Sequence, residues 1–347
     1  MDSDQTSLDT LPVFPGKEWQ IAEPESVGVN SQKLAAAMEH LKSVCGPVGI
    51  SEVVVVRDGV VIWQGENVRN RHLVWSCTKS FMSTCLGLLW DDGKCTPSTL
   101  AHEYYPELKK DYPTVTLEHL ATFTSGYDCE GEDFAKILPP MYPVGTEFHY
   151  SAQSDLLAAI LTRIAGEPLQ NLFLRRIGNE IGMTPEYFHW DTARTLDGRV
   201  LNGGAGHPGS GVHCSPLGLA RFGWLYTNGG NWNGKQLISK RYIEYATVAR
   251  TSPTVPPHDP AGWYKDLPGS YGLNWWVNGI IPSGRRMWPS APVSTFAAQG
   301  NNNNICFAVP DWRMTIVRGG GDNIISTDLY DGMFRLIKEG LTLPAKK

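Results

Sequence analysis

The sequence predicts an α+β fold: a mainly antiparallel sheet flanked by helices, with a mostly helical region inserted into it. Three observations lead there. Strand-forming segments cluster near the two ends of the 347-residue chain, SEVVVV and VVIWQ early and YGLNWWV, NICFAV and RMTIVR late. Apolar residues at helical spacing fill the middle. Strand and helix patterns do not alternate as a βαβ chain would require. The sheet portion is expected from residues 20–70 with 210–345 and the helical portion from 71–209, with a cleft between them.

In chain order, residues 1–25 read as a loose lead-in. Leu34, Ala37, Met38 and Leu41 predict a helix over Asn30–Val44, capped by Asn30 or Ser31. Ser51–Gln64 reads as a hairpin turning at Arg57-Asp58-Gly59. The apolar run FMSTCLGLLW predicts a buried helix over Ser76–Trp90. Residues 100–205 read as helix and loop, with helices at Ser154–Ala165 and Leu169–Ile177. A helix at Leu217–Asn228 is stopped by Gly229-Gly230, residues 251–270 form a surface excursion rich in Pro and Gly, and a last helix covers Ser326–Leu341.

Composition narrows the function. Hydrophobic residues at 41% and charged residues at 19% suit a globular core. A net charge of -5 disfavours nucleic acid or an acidic membrane as partner. No apolar run is long enough to predict a membrane span. MDSDQTSLDTLPVFPG has no signal-peptide pattern, which leaves a cytoplasmic chain as numbered or an exported one if a leader was removed. The seven cysteines lack C-x-x-C pairs, so they read as mostly free thiols, and no Cys/His spacing suggests zinc.

Three segments carry candidate chemistry. Ser76-Cys77-Thr78-Lys79 is an S-x-x-K at a helix start. Residues i and i+3 share a helix face, the helix N-terminus favours a developing anion, and a desolvated lysine can act as base. A capping serine followed by an exposed lysine has the same spelling. In Tyr150-Ser151-Ala152 the phenol precedes a helix and, beside a cationic lysine, can be held as a phenolate and relay protons; a half-buried core tyrosine is the alternative. Ser294–Gly300, followed by Asn301–Asn304, reads as a strand whose Gly300 admits close approach; the next N–H would share an oxyanion hole with that of Ser76. The asparagines also suit a plain turn.

These motifs, in this order, resemble the penicillin-recognising serine hydrolases: class C β-lactamases, DD-peptidases, and related esterases and nylon-oligomer hydrolases. VTLEHLATFTSGY, the block from YPVGTEFHYSAQSDLLAAIL to NEIGMT, and GSGVHCSPLGLARFGWLYTNGGNWNGKQLIS are similar to further blocks of that family, and the likeness spans about residues 20–340. The resemblance implies a β-lactamase/transpeptidase-like fold, acylation of Ser76, a Lys79/Tyr150 proton relay and hydrolysis of the acyl-enzyme, without cofactor or metal. Ser151, Gln299, Gly300 and Asn301 are the expected substrate contacts. Two departures bear on substrate. Ala152 stands where the family usually has Asn, and Ala298-Gln299-Gly300 replaces Lys-Thr-Gly or His-x-Gly, so an amide donor and a cation are missing. That points to esters or simple amides rather than β-lactams, with Trp263, Tyr264, Trp275, Trp276 and Trp288 as candidates to line an acyl pocket. A true β-lactamase or DD-carboxypeptidase, and a non-catalytic binding module, are the alternatives.

Other motifs fail on context. Gly204–Gly209 matches G-x-G-x-x-G but opens no helix, and Gly229–Lys235 resembles a P-loop without the following Ser or Thr. The chain has neither G-x-S-x-G nor H-E-x-x-H.

Overall fold

The computed structural model describes residues 12–259, 262, 264, 265, 267–322 and 329–342. The main sheet is built from both ends of the chain. Its strands are β1 (Val53–Arg57), β2 (Val60–Gln64), β3 (Trp276–Val277), β4 (Phe296–Gly300), β5 (Asn304–Val309) and β6 (Met314–Arg318). They lie in the order β3-β4-β5-β6-β1-β2, every pair antiparallel. The β1–β2 turn uses Asp58 at φ 54° and Gly59 at φ 88°, the two positive φ values that match a two-residue hairpin to strand twist. The run Val53–Val56 is buried on both faces, with Val54 and Val56 in one core and Val53 and Val55 in the other.

Helix α1 (Ser31–Val44) begins where Asn30 accepts from Lys33 N and packs with the last helix, α5 (Asp331–Glu339), on one side of the sheet. On the other side lies α4 (Pro216–Thr227), against β5 and β6. The same core continues into α2 (Thr78–Asp91) and α3 (Gln153–Ala165), with Phe81 of α2 stacked on Phe222 of α4 at 4.1 Å. This is the expected α+β architecture, a mainly antiparallel sheet flanked by helices.

Several expectations need correction. The lead-in is packed from its first described residues. Phe14 meets Trp224 and Trp232, Trp19 donates to the Leu217 carbonyl, and the buried Arg221 donates to the carbonyls of Gly16 and Lys17. A guanidinium 1% exposed needs such acceptors, and the strap provides them. The middle of the chain also contains strands. Phe188–Trp190, Val212–Cys214 and His72–Leu73 form a small sheet, and Thr192–Leu196 pairs with Arg199–Asn202. These strands are too short, or too exposed, to show an apolar alternation. YGLNWWV contributes only Trp276–Val277, the helix from Leu169 widens into a π turn at Leu174–Gly178, and the last helix starts at Asp331. The stretch 323–328, into which the expected start of that helix falls, lies outside the described residues. All seven cysteines are free and five are buried. Among the described residues no helix is long and apolar enough to cross a membrane, and no cluster of side chains could hold a metal ion.

Candidate active site

Ser76 sits in a single 3-10 turn, Trp75–Cys77, that feeds directly into α2. Trp75 is held at φ 50°, an uncommon conformation for an aromatic residue. Two glycines enclose this turn. A Cβ on Gly300 would lie 2.2 Å from the Val74 carbonyl oxygen and 2.9 Å from Ser76 N. One on Gly206, itself at φ 75°, would lie 2.5 Å from the Trp75 carbonyl oxygen and 2.9 Å from Ser76 Cα. Only glycine fits at either place.

Lys79, one turn on, is 3% exposed. Its Nζ donates to Ser76 Oγ at 3.0 Å and to the Ala205 carbonyl at 2.6 Å. Burial lowers its pKa from 10.5 to about 7, against an opposing pull from Asp155 and a smaller one from Cys77. Near neutral pH a large share of the amine is therefore unprotonated and can accept the Ser76 proton.

Tyr150 closes the other side. Lys79 Nζ lies 4.8 Å from its ring centre. The ring is boxed by Phe123 at 4.4 Å, Tyr264 at 4.8 Å and Trp276 at 5.9 Å, with Tyr271 edge-on. Its hydroxyl interacts with Ser76 and Tyr271. Burial pushes the phenol well above its usual pKa, so the tyrosine is protonated rather than held as a phenolate. The apolar box desolvates an anion, and the facing amine is not a full cation able to compensate. Gln153 braces the turn beneath the ring. It accepts from Ser125 Oγ at 2.6 Å and donates to the His149 carbonyl at 2.9 Å and to Ser151 Oγ at 3.0 Å.

Ser76, Lys79, Tyr150 and Gly300 thus converge. The other expected contacts do so less. The Ser151 hydroxyl is engaged by Gln153. Gln299 is partly exposed and Asn301 exposed, and neither side chain has a hydrogen-bond partner among the described residues. In the asparagine run, Asn302 and Asn303 adopt positive φ, Asn303 donates to Asp322, and Asn304 donates to the Asn301 carbonyl, so the run builds the β4–β5 turn. Ala298 is fully buried in the core that holds Cys77, Phe296 and Trp275. Trp275 and Trp288 are core residues, at 1% exposure each, whereas Tyr264 and Trp276 flank Tyr150. Trp263 lies outside the described residues.

A cavity of about 310 Å³ beside the turn is lined by His72, Leu73, Trp75, Glu52 and Asn302. A larger one, about 980 Å³, lies between α4 and β3–β4, lined by Tyr226, Ile243, Val277 and Phe296. It touches none of Ser76, Lys79 or Tyr150, and size alone does not make it the reaction site. Sequence reasoning missed Asp155, Gln153 and Ala205. It discounted Gly204–Gly209 as a nucleotide site but overlooked that a glycine-rich segment suits close packing on the turn that carries Ser76.

The family model described as Beta-lactamase matches residues 35–318. A 6-aminohexanoate-dimer hydrolase of Paenarthrobacter ureafaciens is 27% identical over 258 residues, a match spanning 63% of this chain and 63% of that enzyme. The fold is similar to that of a D-alanine carboxypeptidase of Burkholderia cenocepacia, with 18% identity, a TM-score of 0.63, and coverage of 89% of this chain and all of the other (100%). It is also similar to a family VIII carboxylesterase, with 14% identity, a TM-score of 0.65, and coverage of 93% and 99%.

Proposed function

The chain belongs to the beta-lactamase family of hydrolases, and on that premise we propose that it is a serine hydrolase acting through an acyl-enzyme on uncharged carboxylic esters or simple amides. The observation that carries the reading is the buried Lys79 amine, with its lowered pKa, 3.0 Å from Ser76 Oγ. Unprotonated Lys79 takes the hydroxyl proton as Oγ attacks the substrate carbonyl. The N–H groups of Ser76 and Asn301 are the proposed donors to the oxyanion, since Gly300 brings the end of β4 against Ser76 N. Collapse breaks the bond to the alcohol or amine, which leaves with a proton relayed from Lys79 through the Tyr150 hydroxyl. Water, activated by the same pair, then releases the acid and frees Ser76.

Substrate preference follows from what surrounds the site. Ala152 does not supply the amide that would donate to the acyl-amide carbonyl of a β-lactam, and Ala298 does not supply the cation that would grip its carboxylate. The rings of Tyr150, Tyr264 and Trp276 favour an apolar acyl group. The Paenarthrobacter relative is named a 6-aminohexanoate-dimer hydrolase, and since two amino acids join through an amide, that name supports keeping simple amides in the substrate class.

Turnover of a short-chain p-nitrophenyl ester, lost in Ser76→Ala, is the expected result, with nitrocefin hydrolysed far more slowly. Unchanged ester turnover in that variant refutes the mechanism. Rapid nitrocefin hydrolysis moves the reading to a β-lactamase, and the absence of both turnover and fluorophosphonate labelling moves it to a binding module.

A further inference from the structure

Asp155 lies in the first turn of α3, five residues after Tyr150, and is buried. Its Oδ1 accepts two backbone N–H bonds, from Gly204 at 2.7 Å and Ala205 at 2.9 Å. The same Ala205 presents its carbonyl to Lys79 Nζ at 2.6 Å. One carboxylate oxygen thus holds the peptide whose next carbonyl holds the amine. The segment has little room to find this place otherwise, since a Cβ on Gly204 would stand 2.3 Å from the Ser154 carbonyl oxygen and 2.7 Å from Met82 Sδ. The loop is threaded between α3 and α2, and the carboxylate fixes its depth.

We propose that Asp155 is the positioning residue for Lys79, fixing the Gly204-Ala205 backbone so that the Ala205 carbonyl holds the amine against Ser76. This rests on the reading of Lys79 as the base for Ser76. Hydrogen bonds from N–H groups to a buried carboxylate are short and strong, which suits a positional role. A displacement of about 1 Å at such a support can reduce rate by roughly a hundredfold.

The carboxylate also acts on Lys79 through its charge, favouring the ammonium form against the effect of burial. The other groups that face the amine do not substitute for it. The Cys77 thiol and the Tyr150 phenol are both held protonated by burial. His207 stands beyond Asp155, with Nε2 3.9 Å from Oδ2. Removing the negative charge while keeping an acceptor therefore moves the Lys79 titration to lower pH.

The test uses two variants and two readouts. Asp155→Ala lowers kcat for a p-nitrophenyl ester by roughly a hundredfold with KM changed by less than about threefold. Asp155→Asn, which retains an oxygen to accept the two N–H bonds, recovers most of kcat. In that variant the acid limb of kcat/KM moves to lower pH by roughly half a unit or more. The second readout is independent of turnover: the Lys79 resonance in ε-13C-lysine-labelled protein, assigned by its loss in Lys79→Met, shifts its midpoint the same way in Asp155→Asn. An unchanged midpoint in Asp155→Asn overturns the proposal, as does a kcat for Asp155→Ala close to that of the parent. A shifted midpoint in a protein that hydrolyses no ester upholds the Asp155–Lys79 link and refutes the hydrolase reading instead.

Discussion

At the residue scale, Lys79 is placed where its chemistry costs stability. An unfolded lysine titrates at 10.5 and the folded one at about 7, so folding must expel a proton or bury a charge. At 1.36 kcal/mol per unit, the cost at low pH is on the order of 5 kcal/mol. The sign follows from linkage. A lysine whose folded pKa is depressed destabilises fully below about pH 7, and the cost fades as pH rises toward 10.5. Lys79→Met is therefore expected to be inactive yet more stable than the parent at pH 6. That advantage shrinks by roughly 3 kcal/mol by pH 9. Urea denaturation of both proteins at the two pH values measures it, and an advantage independent of pH contradicts the burial account. The same pKa sets the activity profile. Below about pH 7 the base is progressively protonated, so kcat/KM on an ester falls about tenfold per pH unit.

At the element scale, the short strand His72–Leu73 leads straight into the turn that carries Ser76. It is tied to the sheet by His72 Nε2 and Glu52 Oε2 at 2.7 Å, while the Gly319 N–H at the end of β6 donates to the Glu52 carbonyl. The hydrogen bond to Glu52 raises the pKa of His72 above 6.5. This contribution is full below pH 6.5 and is lost as pH rises through the folded value. His72→Gln should accordingly melt below the parent at pH 6, with the gap narrowing by pH 8; a constant gap rules out the charged pair. Elements were legible in the sequence where their signal was local. Asn30 and the apolar spacing behind it mark α1, Asp58-Gly59 marks the hairpin, and Ser76 and Lys79 lie one helical turn apart. The strap at Phe14–Trp19 was not legible, because its purpose is to serve Arg221, some 200 residues away. The Asp155–Ala205–Lys79 chain was hidden for the same reason. The protonation of Tyr150 is not legible in the sequence because it depends on Phe123, Tyr264 and Trp276, which only folding brings to its ring.

At the scale of the whole molecule, the candidate site is a meeting point. The end of β4 brings Gly300, the loop at Gly203–Gly206 brings Ala205, the turn before α3 brings Tyr150, and α2 brings Ser76 and Lys79. Because β4 belongs to a sheet closed by the N-terminal hairpin, the geometry around Ser76 depends on both ends of the chain. Ala152 and Ala298, where the sequence departs from the family's usual pattern, sit on this frame without altering it, and Ala298 is fully buried in the common core. A covalent intermediate on Ser76 is open to intact-mass spectrometry during turnover of a slow ester. The expected result is an adduct of the acyl group's mass, mapped to the peptide containing Ser76 and absent from Ser76→Ala. Ester turnover with no adduct on Ser76, or an adduct that persists in Ser76→Ala, would contradict it.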